Sequence, residues 1–322
     1  MTDRIRNELI AVATKLFDEG RVDSFIGYAK GTVKFKTTPL IARCREDLPS
    51  LWVEDFFAAN LSLYLKEIKG RVGIVVKGCD SRSLISLIKE GQVKREDLYI
   101  VGIPCPGQIA PGKVAEAISC HPEELEEISR KGPEILARGN GREKTIPKAL
   151  ALLDKCLDCQ YPKPLIFDSL LTGDYVAPVD RGTLEASVLA DELRQKPFPE
   201  KWAFWIRQFE FCIRCYACRN ACPACFCPRC IVEENMPQWV SPLPTGGDNF
   251  VFHLMRMMHV AGTCVSCGEC ERVCPMSIPL MKLNAKMADD LRELFDFVAG
   301  VDLEKALPFR TYLQGDPEDF IR

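Results

Sequence analysis

Cysteines stand at positions 212, 215, 218 and 222, followed by Pro223, and again at 264, 267, 270 and 274, followed by Pro275. The pattern C-x2-C-x2-C-x3-C-P is therefore written twice. Few features restrict a chain more tightly. Three thiols at two-residue intervals converge only if the backbone wraps a close loop around one object. The fourth begins the next segment, and the proline after it turns the chain. Residues 212–230 alone hold seven of the 17 cysteines.

This is the spacing of bacterial two-cluster ferredoxins, in which the fourth cysteine of each motif ligates the other cluster. It predicts one 4Fe–4S cluster on Cys212, Cys215, Cys218 and Cys274, and a second on Cys264, Cys267, Cys270 and Cys222. Zinc sites favour C-x2-C pairs separated by a longer gap, not three cysteines plus a CP. The interval between Cys222 and Cys264 is wider than in a minimal ferredoxin, so an inserted loop and helix are expected there. Two adjacent clusters imply electron transfer.

The remaining cysteines leave more open. Cys79, in VVKGCDSR, and Cys105, in VGIPCPG, each follow a buried-strand pattern. If those strands are parallel neighbours, both thiols lie at the carboxyl edge of the sheet, where α/β folds place ligands. With Cys156 and Cys159 of KCLDCQYPKP they form a candidate third 4Fe–4S site. The alternatives are buried thiols at strand ends and a redox-active C-x-x-C. Cys225, Cys227 and Cys230 are either a further metal site, completed by Cys44 or Cys120, or packed thiols around the cluster loop. Lys77, Asp80, Ser81 and Arg82 surround Cys79 at a glycine turn before a helix. They are candidates for holding a flavin (FAD) or nucleotide phosphate, or else an ordinary capped helix. No G-x-G-x-x-G follows a strand, so a nicotinamide fingerprint is missing.

A net charge of −3, with 47% hydrophobic and 27% charged residues, describes a soluble globular chain without a nucleic-acid-binding tail. The N-terminus, interrupted by charges, is not a secretory signal. No run approaches the roughly 18 apolar residues of a spanning helix. A cytoplasmic location follows, where so many thiols point to metal rather than disulfides.

The apolar spacing assigns an α/β domain to residues 1–155, a connecting segment to 156–200 and an α-helical ferredoxin-like 4Fe–4S domain to 201–322. In the first, helices are expected at ELIAVATKLF, VEDFFAANLSLYLKEI, DSRSLISLIKEG (capped by Asp80 or Ser81, ended by Gly91) and PGKVAEAI. Strands are expected at RVGIVVKG and DLYIVGIPC in a partly parallel sheet. KGPEILARGNGREK reads as a surface crossing, DYVAPV as a short strand and EASVLADELRQ as a helix. KWAFWIRQFEF, NFVFHLMRMMHVAG and IPLMKLNAKMADDLRELFDFV read as the helices framing the cysteine motifs. His253 and His259 read as core-packing imidazoles. Trp202 and Trp205 read as cover over the first cluster.

The combination VVKGCDSRSL, IVGIPCPG, KCLDCQYPKP and CIRCYACRNACP resembles the beta subunits of deazaflavin-linked (coenzyme F-420) hydrogenases and formate dehydrogenases. The resemblance spans most of residues 20–280. It implies an electron-transfer subunit. Many such subunits bind flavin and exchange electrons with a deazaflavin, another flavoprotein or a heterodisulfide reductase-type partner. It also implies that Cys79, Cys105, Cys156 and Cys159 ligate a proximal cluster. The C-terminal part resembles the small iron–sulfur subunit of heterodisulfide reductase. The expected function is an iron–sulfur relay within an anaerobic oxidoreductase complex of hydrogenase, formate dehydrogenase or heterodisulfide reductase type. Its alternatives are a flavin-bearing enzyme that itself turns over a deazaflavin, and a cluster-based redox sensor.

Overall fold

The computed structural model describes residues 2–173, 175 and 193–308. Helix α1 (Thr2–Asp18) opens the chain. It buries Ile5, Leu9, Ala13 and Leu16, one apolar stripe at helical spacing. That stripe lies on a five-stranded sheet of order β2-β1-β3-β4-β8. Strands β1 (Ser24–Lys30) and β2 (Thr37–Ala42) pair antiparallel. Strands β1, β3 (Val72–Val76), β4 (Leu98–Gly102) and β8 (Ser169–Leu170) run parallel. Every residue of β3 is buried, as a VGIVV run flanked by strands on both sides requires. Strand β8 draws residues beyond 155 into the sheet of the N-terminal half.

Helix α2 (Gly78–Lys89) follows β3 with a single intervening residue. Its N-cap is Lys77, not Asp80 or Ser81. Asp80 sits in the first turn and accepts the Lys77 backbone N–H at 3.0 Å. The helix therefore starts earlier than the capping residues suggest, which brings Cys79 into its first turn. Gly91 ends it at φ +65°.

VEDFFAANLSLYLKEI does not form the expected long helix; only a 3-10 turn at Leu61–Lys66 is regular. Phe56 and Phe57, adjacent in sequence, enter different apolar cores, so the segment does not bury the single apolar stripe of an amphipathic helix. Buried Asn60 then takes the next backbone donor for itself, accepting Ser62 N–H at 3.1 Å.

After α3 (Pro111–Ala117), the expected surface crossing is instead two strands of a small antiparallel sheet, β5 (Leu125–Lys131), β6 (Glu134–Gly139) and β7 (Arg142–Pro147). Asn140 and Gly141, at φ +51° and +67°, form its tight turn, the Asn-Gly signal of a two-residue hairpin. Its apolar face, Leu125, Ile135, Ala137 and Ile146, builds a second core with Ile109 and Leu152. Two short helices, α4 (Lys148–Ala151) and α5 (Asp154–Leu157), then lead back to the main sheet. DYVAPV, apart from Tyr175, and most of EASVLADELRQ lie outside the described residues.

The C-terminal half contributes no strand among the described residues. Helices α6 (Phe198–Glu210) and α8 (Gly246–Val260) pack together, α8 capped by the Thr245 hydroxyl accepting Asp248 N–H. The four-residue helices α7 (Ala217–Asn220) and α9 (Glu269–Arg272) sit inside the two cysteine motifs and touch each other. Helix α10 (Leu280–Phe295) closes the half. Among the described residues no helix is long and apolar enough to cross a membrane.

Candidate functional site

The two motifs repeat in backbone as well as in sequence. Arg214 and Tyr216 have φ +53° and +59°; Ser266 and Gly268, at the equivalent positions, have φ +56° and +73°. Left-handed residues between right-handed ones turn successive N–H groups inward, an anion-binding concavity. Burial raises the Cys212 and Cys264 thiols, and the backbone N–H groups of Arg214 and Ser266 oppose that rise.

Cys212, Cys215, Cys218 and Cys274 line one small cavity, with Tyr216, Phe252, His253 and Ile278. The fourth cysteine of the second motif has thus joined three of the first. In the reciprocal set, burial raises Cys264, Cys267 and Cys270, and negative charge at Cys222 adds to the rise of each. Burial pushes Cys218 up to about 11 and Cys267 to about 12. Such thiols ionise only beside compensating positive charge, which a bound iron–sulfur core would supply. Among the described residues no three His, Cys, Asp or Glu side chains close around a single-ion site. A four-iron cube holds its thiolates further apart than one ion does.

A third group lies at the carboxyl edge of the main sheet. Cys79, Cys105, Cys156 and Cys159 line a cavity of about 200 Å³ with Gln108, Lys155 and Tyr161. Strands β3 and β4 are parallel neighbours, so the loops after them open at the same edge. The C-x2-C of 156–159 is carried there by the chain returning from the small sheet. Burial raises all three of Cys79, Cys156 and Cys159, the last to about 12.

Each group has a buried side-chain nitrogen at a sulfur. Gln108 Nε2 donates to Cys105 and its backbone N–H to Cys156, both at 3.3 Å. Asn284 Nδ2 donates to Cys270 at 3.4 Å. His253 Nε2 lies 3.3 Å from Cys212, its ring stacked on Phe209 at 4.5 Å. Burial holds that imidazole near pKa 3, hence neutral. His253 is the core imidazole expected; His259 is exposed. Trp205 stacks on Phe209 at 5.5 Å and so backs the Cys212 wall, whereas Trp202 packs on Phe250 and is 46% exposed.

Two buried cations lie beside the cysteine loops. Lys155 lies against Gly268 of the second motif, which has no side chain to obstruct it. Burial raises both Cys79 and Cys267, thiols of different groups, and the Lys155 charge opposes the rise at each. Arg256 on α8 donates to the Cys218 carbonyl at 3.0 Å. Neither cation, nor Gln108 and Asn284, stands out in sequence, because their spacing from the cysteines carries no local signal.

Cys225, Cys227 and Cys230 line a separate cavity of about 730 Å³, together with Lys66, Arg219, Arg256 and His259. Neither Cys44 nor Cys120 reaches it. Cys44 is exposed before a 3-10 turn of the main-sheet half, and Cys120 packs on the second core. The Cys225 thiol donates to Cys222 and draws it down to about 6, with Arg256 adding its charge.

The four candidates for phosphate binding are engaged with protein. Lys77 Nζ meets Asp80 Oδ2 and the Ala59 carbonyl, each at 2.8 Å, and the Tyr28 hydroxyl. Burial alone would lower this ammonium, but the Asp80 and Cys79 charges leave it raised. Ser81 donates to the Gly78 carbonyl and accepts Leu165 N–H. Arg82 donates to the carbonyls of Ala299 and Val265. These residues join the two halves and seat Cys79.

No protein-family model matches the chain. It is 26% identical to the F420-dependent formate dehydrogenase subunit beta of Methanocaldococcus jannaschii, over 76% of this chain and 77% of that one. It is 28% identical to the F420-dependent formate dehydrogenase 1 subunit beta of Methanococcus maripaludis, over 90% and 89%. A solved chain of the F420-reducing [NiFe] hydrogenase complex from Methanosarcina barkeri aligns with 47% of this chain and 58% of its own length, at 16% identity and a TM-score of 0.38, a likeness too slight to argue from. The chain is a homologue of the beta subunits of F420-dependent formate dehydrogenases.

Proposed function

We propose that the chain is an iron–sulfur electron-transfer subunit of a multi-subunit oxidoreductase, carrying three 4Fe–4S clusters. The observation that carries this reading is the crossing of Cys274 into the cavity of Cys212, Cys215 and Cys218. Zinc ligation or idle packing gives no reason for two motifs to exchange their last thiol, whereas paired cubes sharing one ferredoxin-like domain require it. The thiolates would hold iron, and the cubes would supply one-electron chemistry.

The order of the relay follows from the cations. Lys155 lies between the Cys79 group and the Cys264 group. Arg256 lies between the Cys264 group and the Cys212 group. Electrons would pass along that line in either direction, in a reducing cytoplasm. By analogy with the relatives, one end would face a subunit that oxidises formate or a comparable donor and the other a deazaflavin-handling site. The homology and the coalescence of Cys79, Cys105, Cys156 and Cys159 support the third cluster. A flavin at Lys77, Asp80, Ser81 and Arg82 is not part of this reading, because protein partners already occupy those polar groups.

Anaerobically purified protein tests it by iron and sulfide content and by EPR on dithionite reduction. About twelve irons and twelve sulfides, with three reducible centres, are expected. Zinc in place of iron, or iron without any reducible centre, overturns the reading.

A further inference from the structure

Arg256 projects from the buried face of α8, which also carries Asn249, Phe252 and His253. The residue is 8% exposed. One guanidinium nitrogen, Nη2, donates to the Cys218 carbonyl at 3.0 Å, while the buried Nε has no partner. No carboxylate pairs with the guanidinium among the described residues. A buried cation without a carboxylate is costly unless another anion compensates it. Arg256 also lines one cavity with Ala224 and Cys225, which follow Cys222, and with Thr263, which precedes Cys264. Its contact at Cys218 is with the first group of ligands, and this wall belongs to the loops that carry Cys222 and Cys264 of the second.

Four thiolates around a 4Fe–4S core leave a net negative charge, and reduction adds one more electron without making or breaking a bond. A fixed cation beside such a cube stabilises the reduced form more than the oxidised form, and so raises its potential. A cation beside two cubes raises both.

We propose that Arg256 is a shared positioning residue for the two C-terminal clusters, its single buried charge holding both reduction potentials up together. This rests on the cluster reading above. Because the charge is common, it shifts the two potentials in the same direction and leaves the interval between them nearly unchanged. The relay thereby keeps its internal balance while its whole C-terminal end is set against the partner. Its unpartnered Nε–H is the donor left over for a cluster sulfur.

The test compares the full-length protein with its Arg256→Gln and Arg256→Lys variants by dye-mediated redox titration followed by EPR. Iron and sulfide are counted first. Wild-type protein without two EPR-active C-terminal clusters overturns the cluster reading and this inference with it. With both clusters loaded, Arg256→Gln is expected to lower the reduced-to-oxidised ratio of each at least tenfold at fixed ambient potential, 59 mV for a one-electron couple. Arg256→Lys, which keeps the charge, is expected to restore most of both shifts. A shift in one cluster only, or in neither, overturns the inference while leaving the cluster reading intact. If Arg256→Gln fails to load iron, Arg256→Met replaces it. Loading by Lys but by neither neutral residue supports a requirement for the charge, whereas failure of Lys as well reduces Arg256 to a packing role and overturns the inference.

Discussion

The Lys77 ammonium and the Asp80 carboxylate lie 2.8 Å apart at the head of α2, with side chains 1% and 0% exposed. The same ammonium sits over the rings of Tyr28 and Phe57, at 4.8 and 5.4 Å. Removing one partner of such a pair strands the other charge in the core. Asp80→Ala is expected to destabilise the protein by about 3–5 kcal/mol. The double variant Lys77→Met/Asp80→Leu, which removes both charges, is expected to recover most of that loss. Urea unfolding of the three proteins checks this; a single variant as stable as wild type would refute a structural role for the pair.

Gly78 is the position where the 156–161 loop meets α2. A Cβ there would lie 1.5 Å from the Tyr161 carbonyl oxygen, so even alanine forces that loop away from Cys79. Gly78→Ala is expected to lose the proposed third cluster, about four irons, and to keep both ferredoxin-type EPR signals. Retention of full iron content would show that the loop is not held by this contact.

The exchange of last cysteines makes a crossed prediction. Cys274→Ser lies in the second motif but should alter the cluster held by Cys212, Cys215 and Cys218. Cys222→Ser lies in the first motif and should alter the other. Selective changes in g-values or loss of one signal, assigned with Cys215→Ser and Cys267→Ser as references, decide the matter. Each substitution acting on its own motif's cluster would contradict the crossing.

Asn249 is fully buried and ties α8 to the first motif. It accepts Arg214 Nε at 2.8 Å and donates to the carbonyls of Phe209 and Cys212 at 2.9 and 2.7 Å. Asn249→Ala leaves the buried Arg214 short of a partner, a cost of about 1–3 kcal/mol or more for a charged donor. The expected result is a lower unfolding midpoint, with faster loss of the Cys212-group signal than of the Cys264-group signal in air. Equal loss rates would mean that Asn249 serves the fold at large and not that loop.

Much of this arrangement is legible in the residues. The strand pattern of VGIVV and LYIVG placed Cys79 and Cys105 at one edge, because both runs bury on two faces and each is followed directly by its cysteine. The doubled CP motif predicts that Cys274 joins Cys212, Cys215 and Cys218 across a wide interval, and these four line one cavity. Other features were hidden. The helix expected at 53–68 gave way because Phe56 and Phe57 serve different cores, which no periodicity records. The hairpin at 134–147 carried an Asn-Gly turn signal that its charged, exposed β7 obscured. Lys77 and Asp80, candidates for holding a flavin or nucleotide phosphate, form a buried ion pair, which a lysine in sequence does not reveal, while Lys77 and Arg82 also line the cavity of Cys79.

What the sequence by itself determined is the shape of each thiol loop: short-range spacing brings three sulfurs of a motif toward one point, because a few backbone torsions suffice, while the fourth arrives from the other motif. What only the tertiary structure decided is what stands between the loops. Lys155 and Arg256 acquire their roles from the approach of segments far apart in the chain. The field of a buried charge depends on distance and burial, and neither quantity is local to the sequence.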